Sequence, residues 1–89
     1  MRLAGRIDRI LVGKGRVLVV DYKSDANPPR IAEEVPAPYV TQVGLYALVA
    51  GQLFPELVVE AAILWTTLES LMILPSAALR KAVSAFTMR

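Results

Sequence analysis

The sequence predicts one small α/β domain, of the α+β type, with its elements in the order β-β-α-β-β-α. Three observations carry this prediction: an opening β-hairpin, a long apolar helix after a polar loop, and a second pair of strands followed by an amphipathic helix. The chain has 89 residues, so we assign residues 1–89 to a single domain. Because 55% of the residues are apolar and the core of so small a domain is modest, we expect apolar surface that faces a neighbouring domain, a missing segment or a second copy of the chain.

The first two predicted strands form the hairpin. Residues 3–12 and residues 16–23 are rich in branched apolar side chains, which favour strands. Gly13-Lys14-Gly15 between them is a turn signal, and residues 24–30 follow as a polar loop.

The first predicted helix covers residues 39–53. Pro36 and Pro38 suit the approach to a helix or its first turn, and Pro55 ends it. The segment is apolar most of the way round, which predicts a largely buried helix.

The second half of the chain repeats the pattern of strands followed by a helix. Residues 58–67 and residues 71–74 are predicted strands. Pro75 and Ser76 then open an amphipathic helix that runs from residue 77 to about residue 88.

Composition excludes several kinds of site. The chain has no cysteine and no histidine, which excludes disulfides, zinc fingers, iron–sulfur clusters and a Ser-His-Asp triad. The net charge is only +2 and the basic residues are scattered, so DNA contact must be argued from a site. The start lacks the core of a signal peptide and the apolar stretches are too short to span a bilayer, so we expect a cytoplasmic protein without a membrane partner.

Two acidic residues fall opposite each other in the predicted hairpin. If Lys14-Gly15 is a two-residue turn, residue i lies opposite residue 29 − i, which pairs Asp8 with Asp21 and Arg6 with Lys23 on one face. Like charges directly opposite in a sheet are destabilising. A divalent cation bound by both carboxylates would offset their repulsion and so explain the pair. Mg²⁺ prefers carboxylate and carbonyl oxygens, and Lys23 beside it can orient a water molecule or stabilise charge on a phosphate.

A structural alternative explains the same residues. The pair Asp21/Lys23 on one strand and the pair Asp8/Arg6 on the other can together form a solvated cross-strand ladder of salt bridges at the end of the hairpin. A register slip by one residue would also break the shared face. The residues alone leave both readings open.

The residues also resemble a known family. The pattern comprises Gly5-x-x-Asp8-Arg9, Val20-Asp21-Tyr22-Lys23-Ser24, Gln42-x-x-x-Tyr46, and the strands at residues 61–66 and 71–75. It resembles the RecB-like nucleases of the PD-(D/E)XK superfamily, and most closely the C-terminal nuclease domain of AddA-type helicase–nucleases, which process broken DNA ends in bacteria. The resemblance covers most of the chain and implies a restriction-endonuclease-like mixed sheet flanked by helices.

The resemblance assigns roles to the hairpin residues. It implies that Asp8 and Asp21 bind Mg²⁺ or Mn²⁺, with the backbone carbonyl of Tyr22 as a further ligand. It implies that Lys23 is the catalytic lysine, and that Asp8, Asp21 and Lys23 together hydrolyse a DNA phosphodiester.

The resemblance also assigns roles to two residues of the first helix. Gln42 and Tyr46 are spaced i, i+4 and share a helix face, where they would support DNA binding. The structural alternative for this pair is a core-edge tyrosine with a capping glutamine.

The sequence departs from the family pattern in three respects. Family members have a helix before the hairpin that adds an acidic or histidine residue to the metal site, and these 89 residues contain no such helix. We therefore expect a partial nuclease domain, the C-terminal fragment of a larger chain, with bare apolar surface that a homodimer can cover. No ATP-binding Gly-x-x-x-x-Gly-Lys-Ser/Thr motif is present, so helicase activity would lie elsewhere, and the lack of cysteine implies the branch without an iron–sulfur cluster.

Three hypotheses follow. The first is a metal-dependent exonuclease domain of a helicase–nuclease for double-strand-break repair, with DNA, the helicase portion and a partner subunit as its partners. The second is a catalytically inactive remnant of the same fold that binds DNA or a partner. The third is an unrelated α+β domain that dimerises through its apolar face.

Overall fold

The computed structural model of the chain describes residues 7–87. The elements in that range are β1 (Arg9–Val12), β2 (Arg16–Lys23), a short 3-10 helix (Ala32–Glu34), α1 (Ala37–Leu53), β3 (Val58–Trp65), β4 (Ser70–Ile73) and α2 (Ser76–Thr87). The described strands form one sheet in the order β1-β2-β3-β4, with β2 and β3 parallel and the outer pairs antiparallel. The predicted element order and the mixed sheet with its helices are confirmed.

The register of the hairpin agrees with the prediction. The backbone N–H of Gly13 donates to the carbonyl of Arg16 at 2.9 Å, which closes a two-residue loop. Gly15 has φ +74, in the left-handed region that glycine adopts without strain. Arg9 lies opposite Val20, and the other paired positions of β1 follow the same register.

The first strand is shorter than predicted. Residues 3–6 lie outside the described residues, while Ile7 and Asp8 precede the strand, which begins at Arg9. Extending the antiparallel ladder would bond the N–H of Tyr22 to the carbonyl of Ile7. That N–H instead donates to Oδ2 of Asp8 at 2.9 Å, and the ladder ends there.

The first helix begins two residues earlier than predicted. The carbonyl of Pro36 accepts hydrogen bonds from the N–H groups of Tyr39 and Val40, at 2.9 and 3.2 Å. The helix therefore starts at Ala37. The boundaries of β3 and β4 and the start of α2 differ from the predicted ones by two residues or fewer. The predicted end of α2, near residue 88, lies just outside the described residues.

Helix α1 connects the parallel strands β2 and β3 and packs on both of them, while α2 packs on α1. Gly44 permits the contact between the helices, because a Cβ atom there would lie 2.8 Å from Cγ2 of Val83 and 3.1 Å from the carbonyl oxygen of Leu79. The prediction that α1 is largely buried was wrong for part of its surface, since Leu48 and Leu53 are exposed.

Apolar side chains are exposed on the sheet face that points away from α1. By alternation along the strands this face carries Leu11, Tyr22, Leu71 and Ile73, all of which are exposed. The expected apolar surface is therefore present. A second copy of the chain that covers it stays a prediction. Within residues 7–87, no helix combines the length and apolar character needed to cross a membrane.

Candidate active site

Asp21 is a buried carboxylate on the sheet face that packs against α1. It follows the core residues Val17 and Val19 along that face, and its exposure is only 3%. Continuing the register of the hairpin places Asp8 opposite it, and the two carboxyl groups are close enough to interact directly. Burial, and then the neighbouring Asp8 carboxylate, raise the pKa of Asp21 above its ordinary value, against the opposing effect of Lys23.

Asp8 lies just before β1, where a bend frees its side chain from the strand. Its Oδ2 accepts the hydrogen bond from the backbone N–H of Tyr22, which fixes the carboxylate beside the end of β2. The Tyr22 side chain lies on the other face of the sheet, so only the backbone of Tyr22 is available to the site. A metal-ligand role for its carbonyl stays a prediction.

Lys23 is the best-restrained cation of the site. Its Nζ lies 2.8 Å from Oδ2 of Asp21 and donates to Oε1 of Gln42 at 2.9 Å. The Lys23 side chain is 18% exposed, so the ammonium group is largely shielded from bulk water. The contact with Asp21 is the ion pair that the structural alternative names, but it is largely shielded rather than solvated. Arg6, another member of the ladder in that alternative, lies outside the described residues.

The predicted pair on α1 reaches the same site. Nε2 of Gln42 donates to the hydroxyl of Tyr46 at 3.1 Å, which turns the amide oxygen towards Lys23. Gln42 lies inside α1 and does not cap it. Tyr46 is 2% exposed, so it lies in the core, as the structural alternative expects of the tyrosine. Its hydroxyl also orients Gln42.

The residues present are compatible with a divalent cation. Oδ2 of Asp21 is buried, and the ammonium group of Lys23 is its ion-pair partner at 2.8 Å. A buried carboxylate oxygen with unused acceptor capacity, beside a second carboxylate, is a suitable donor set for Mg²⁺ or Mn²⁺. Residues 7–87 contain no group of three or more acidic, histidine or cysteine side chains that could hold a metal ion, so Asp8 and Asp21 would leave most coordination positions to water or substrate.

Comparison with known proteins decides the family. The model of the PD-(D/E)XK nuclease superfamily matches residues 1–84. The chain belongs to the PD-(D/E)XK nuclease superfamily. No curated protein and no solved structure matches this chain.

Superfamily membership agrees with the mixed sheet and with a nuclease as the class of function. The match does not test which residues perform the chemistry. The geometry brings together Asp8, Asp21, Lys23, Gln42 and Tyr46, all of which the sequence singled out. Their roles in metal binding, catalysis and DNA binding stay predictions.

Two residues at the site were missed by sequence reasoning. The ring of Tyr39 lies under the Lys23 ammonium group, 4.7 Å from its centroid, and the Tyr39 hydroxyl contacts Asp25. Tyr39 is spaced i, i+3 from Gln42, so a search of that helix face could have found it. Asp25 lies in an irregular loop, and nothing in its spacing predicts the contact.

An open groove between α1 and α2 borders the site. Gln42 and Tyr46 contribute to one wall, and Ala82 and Phe86 of α2 contribute to the other. Its charged lining residues, Glu33 and Lys81, have opposite signs. The groove is therefore not a basic track for a phosphate backbone, which agrees with the small net charge of the chain.

Proposed function

We propose that this chain is the nuclease domain of a larger helicase–nuclease, and that it hydrolyses DNA phosphodiesters as an exonuclease in double-strand-break repair. The nuclease class follows from the superfamily. The repair context, the helicase portion and a partner subunit are supported by the resemblance of the hairpin and helix motifs to AddA-type proteins. DNA is the proposed substrate.

One observation carries the catalytic proposal: a buried Asp21 lies beside Asp8, with the ammonium group of Lys23 held 2.8 Å from its Oδ2. A buried carboxylate with a raised pKa is costly to keep ionised, and no gain in stability explains it. Clustering of titratable groups with perturbed pKa values is typical of functional sites.

In this proposal Asp8, Asp21 and the carbonyl of Tyr22 would hold Mg²⁺ or Mn²⁺. When bound, such an ion polarises a phosphate oxygen and makes water a stronger nucleophile at neutral pH. The chain has no histidine and no cysteine, so neither can act as nucleophile or general base.

Lys23 presents a positive charge where negative charge increases on a phosphate during hydrolysis. A preorganised ammonium group in a site of restricted water access stabilises such charge more than it would in bulk water. Gln42 fixes one proton of this ammonium group, and Tyr46 fixes Gln42 from the core. The helix residues thus orient Lys23, and in this proposal Gln42 and Tyr46 support DNA binding at the site.

The test is cleavage of linear DNA by the protein with Mg²⁺ or Mn²⁺. Lys23→Ala should lower the cleavage rate about 10²–10³-fold, the usual loss for one preorganised electrostatic group. Lys14→Ala is the matched control, because Lys14 is the exposed lysine of the hairpin turn, and its rate should match that of the wild type. Equal cleavage by the wild type and Lys23→Ala would contradict the proposal.

A second candidate is the inactive remnant of the same fold. It is favoured by the finding that, within residues 7–87, no third acidic or histidine side chain joins Asp8 and Asp21 in a group that could hold a metal ion. This candidate predicts that the wild type binds DNA and does not cleave it, and that Lys23→Ala changes neither result.

A further inference from the structure

Lys23 rests on an aromatic ring whose own position is fixed by a carboxylate. Tyr39, near the start of α1, places its ring centroid 4.7 Å from Nζ of Lys23. A cation near the face of an aromatic ring is attracted by the negative potential of that face. The ring therefore adds a third contact to those that Asp21 and Gln42 make with the ammonium group.

Asp25 fixes the other end of Tyr39. The Tyr39 hydroxyl lies 3.1 Å and 3.0 Å from the two carboxylate oxygens of Asp25, which share the single proton that it donates. This hydrogen bond is the main cause that raises the pKa of Tyr39 above its ordinary value, at which the hydroxyl is already a donor at neutral pH. A charge-assisted hydrogen bond of this kind restrains the ring more firmly than a neutral one.

The loop that carries Asp25 is hydrogen-bonded to the turn between β3 and β4. Oγ1 of Thr67 donates to the backbone carbonyl of Asp25 at 2.8 Å, and the N–H of Thr66 donates to the carbonyl of Lys23 at 2.9 Å. Trp65, which is buried, lies beside the Tyr39 ring with centroids 6.2 Å apart. The ring is thus supported by the sheet as well as by the loop.

We propose that Tyr39 is a positioning residue for Lys23, and that Asp25 positions Tyr39. Both act through Lys23 and neither needs to touch the phosphate. Because this role concerns the lysine of the proposed nuclease site, it rests on the proposed function for its catalytic consequence. The geometry of Lys23 itself can be tested without any cleavage.

The direct test is the rate at which acetic anhydride acylates each lysine, followed by mass spectrometry. The chain has three lysines, so exposed Lys14 and Lys81 are internal controls in the same sample. Tyr39→Leu should raise the acylation rate of Lys23 about threefold, which is the fold-change expected from loss of one cation–π contact. The rates of Lys14 and Lys81 should stay the same.

Two milder variants keep the test decisive if Tyr39→Leu does not fold. Tyr39→Phe keeps the ring and loses the bond to Asp25, and Asp25→Ala removes the partner and leaves Tyr39 intact. Each should raise Lys23 acylation by less than Tyr39→Leu. An unchanged rate at Lys23 in every folded variant would overturn the proposal.

Cleavage by the same variants connects the positioning role to the proposed function. A positioning loss should lower kcat and leave KM for DNA within about twofold, with Tyr39→Phe recovering part of the Tyr39→Leu loss. If the wild type does not cleave DNA, the proposed function fails, while the acylation rates still decide whether Tyr39 holds Lys23. If cleavage occurs and kcat is the same in Tyr39→Leu, the catalytic consequence is wrong.

Discussion

The two halves of β2 are equally buried on the side that faces α1, yet they differ in chemistry. In the first half, Val17 and Val19 are fully buried and pack in the apolar core. In the second half, Asp21 is 3% exposed and carries a carboxylate with a raised pKa, followed by Lys23. One strand therefore builds a core at one end and a polar site at the other.

This difference separates two reasons for burying a side chain. Burial of a valine stabilises the fold, because apolar surface leaves water. Burial of a carboxylate costs free energy unless a partner compensates, and Lys23 only partly offsets the desolvation of Asp21. We infer that the valines serve stability and that Asp21 serves binding or catalysis, so substitutions in the two halves should have opposite consequences.

The largest expected effect is on cleavage by Asp21→Asn. The amide keeps the shape of the side chain and removes the charge, so the rate of DNA cleavage should fall by about 10³-fold, the upper end of the loss from one stabilising group. The measurement is the initial rate on linear DNA with Mn²⁺, at equal concentrations of folded protein.

In the absence of metal, the same variant should be more stable than the wild type, although it cleaves DNA more slowly. The pKa of Asp21 is raised in the folded state, so its contribution favours folding below the unfolded pKa and is lost as pH rises through the folded pKa. Metal-free Asp21→Asn should therefore melt at a higher temperature than the wild type at neutral pH, and the difference should vanish in acid. A lower melting temperature at neutral pH would show that the ion pair with Lys23 outweighs the burial cost.

The second effect is on stability by Val19→Ala. Removing two methyl groups from a fully buried side chain should lower the free energy of unfolding by about 2 kcal/mol. Denaturant titration measures this loss. Cleavage per folded molecule should stay within about twofold of the wild type, since the loss is of packing rather than charge stabilisation. A rate that falls as far as in Asp21→Asn would remove the distinction between the two halves.

The smallest effect is at the boundary between core and site, in Tyr46→Phe. The ring stays in the core, and the hydroxyl that accepts from Gln42 is lost. One such hydrogen bond contributes about 1 kcal/mol, which corresponds to a roughly fivefold slower cleavage if Gln42 orients Lys23. Equal rates for Tyr46→Phe and the wild type would show that Tyr46 belongs to the core alone.

The polar half of β2 could be located from the sequence because a two-residue turn fixes every pair of the hairpin. Once Gly15 turns the chain, alternation places Asp8 opposite Asp21. The start of β1 at Arg9 rather than at residue 3 could not be predicted, because the Asp8 side chain accepts the hydrogen bond from the Tyr22 N–H that would extend the ladder. The contact of Asp25 with Tyr39 joins an irregular loop to a helix, and local spacing carries no signal for such a contact.

The sequence predicted that apolar surface would be exposed, but not which residues would form it. Composition indicated more apolar residues than a small core can bury, and exposed side chains on α1 and on the far face of the sheet agree with it. Periodicity did not show which residues these were, because α1 is apolar on nearly all sides.

The most direct test of a shared cation site is a calorimetric titration of the protein with Mn²⁺. The wild type should bind the ion at one site, Asp21→Asn and Asp8→Asn should lose that binding, and Glu60→Gln should keep it, since Glu60 lies elsewhere on the sheet and pairs with Arg16. No binding by the wild type, or equal binding by all four proteins, would contradict the claim that Asp8 and Asp21 share one cation.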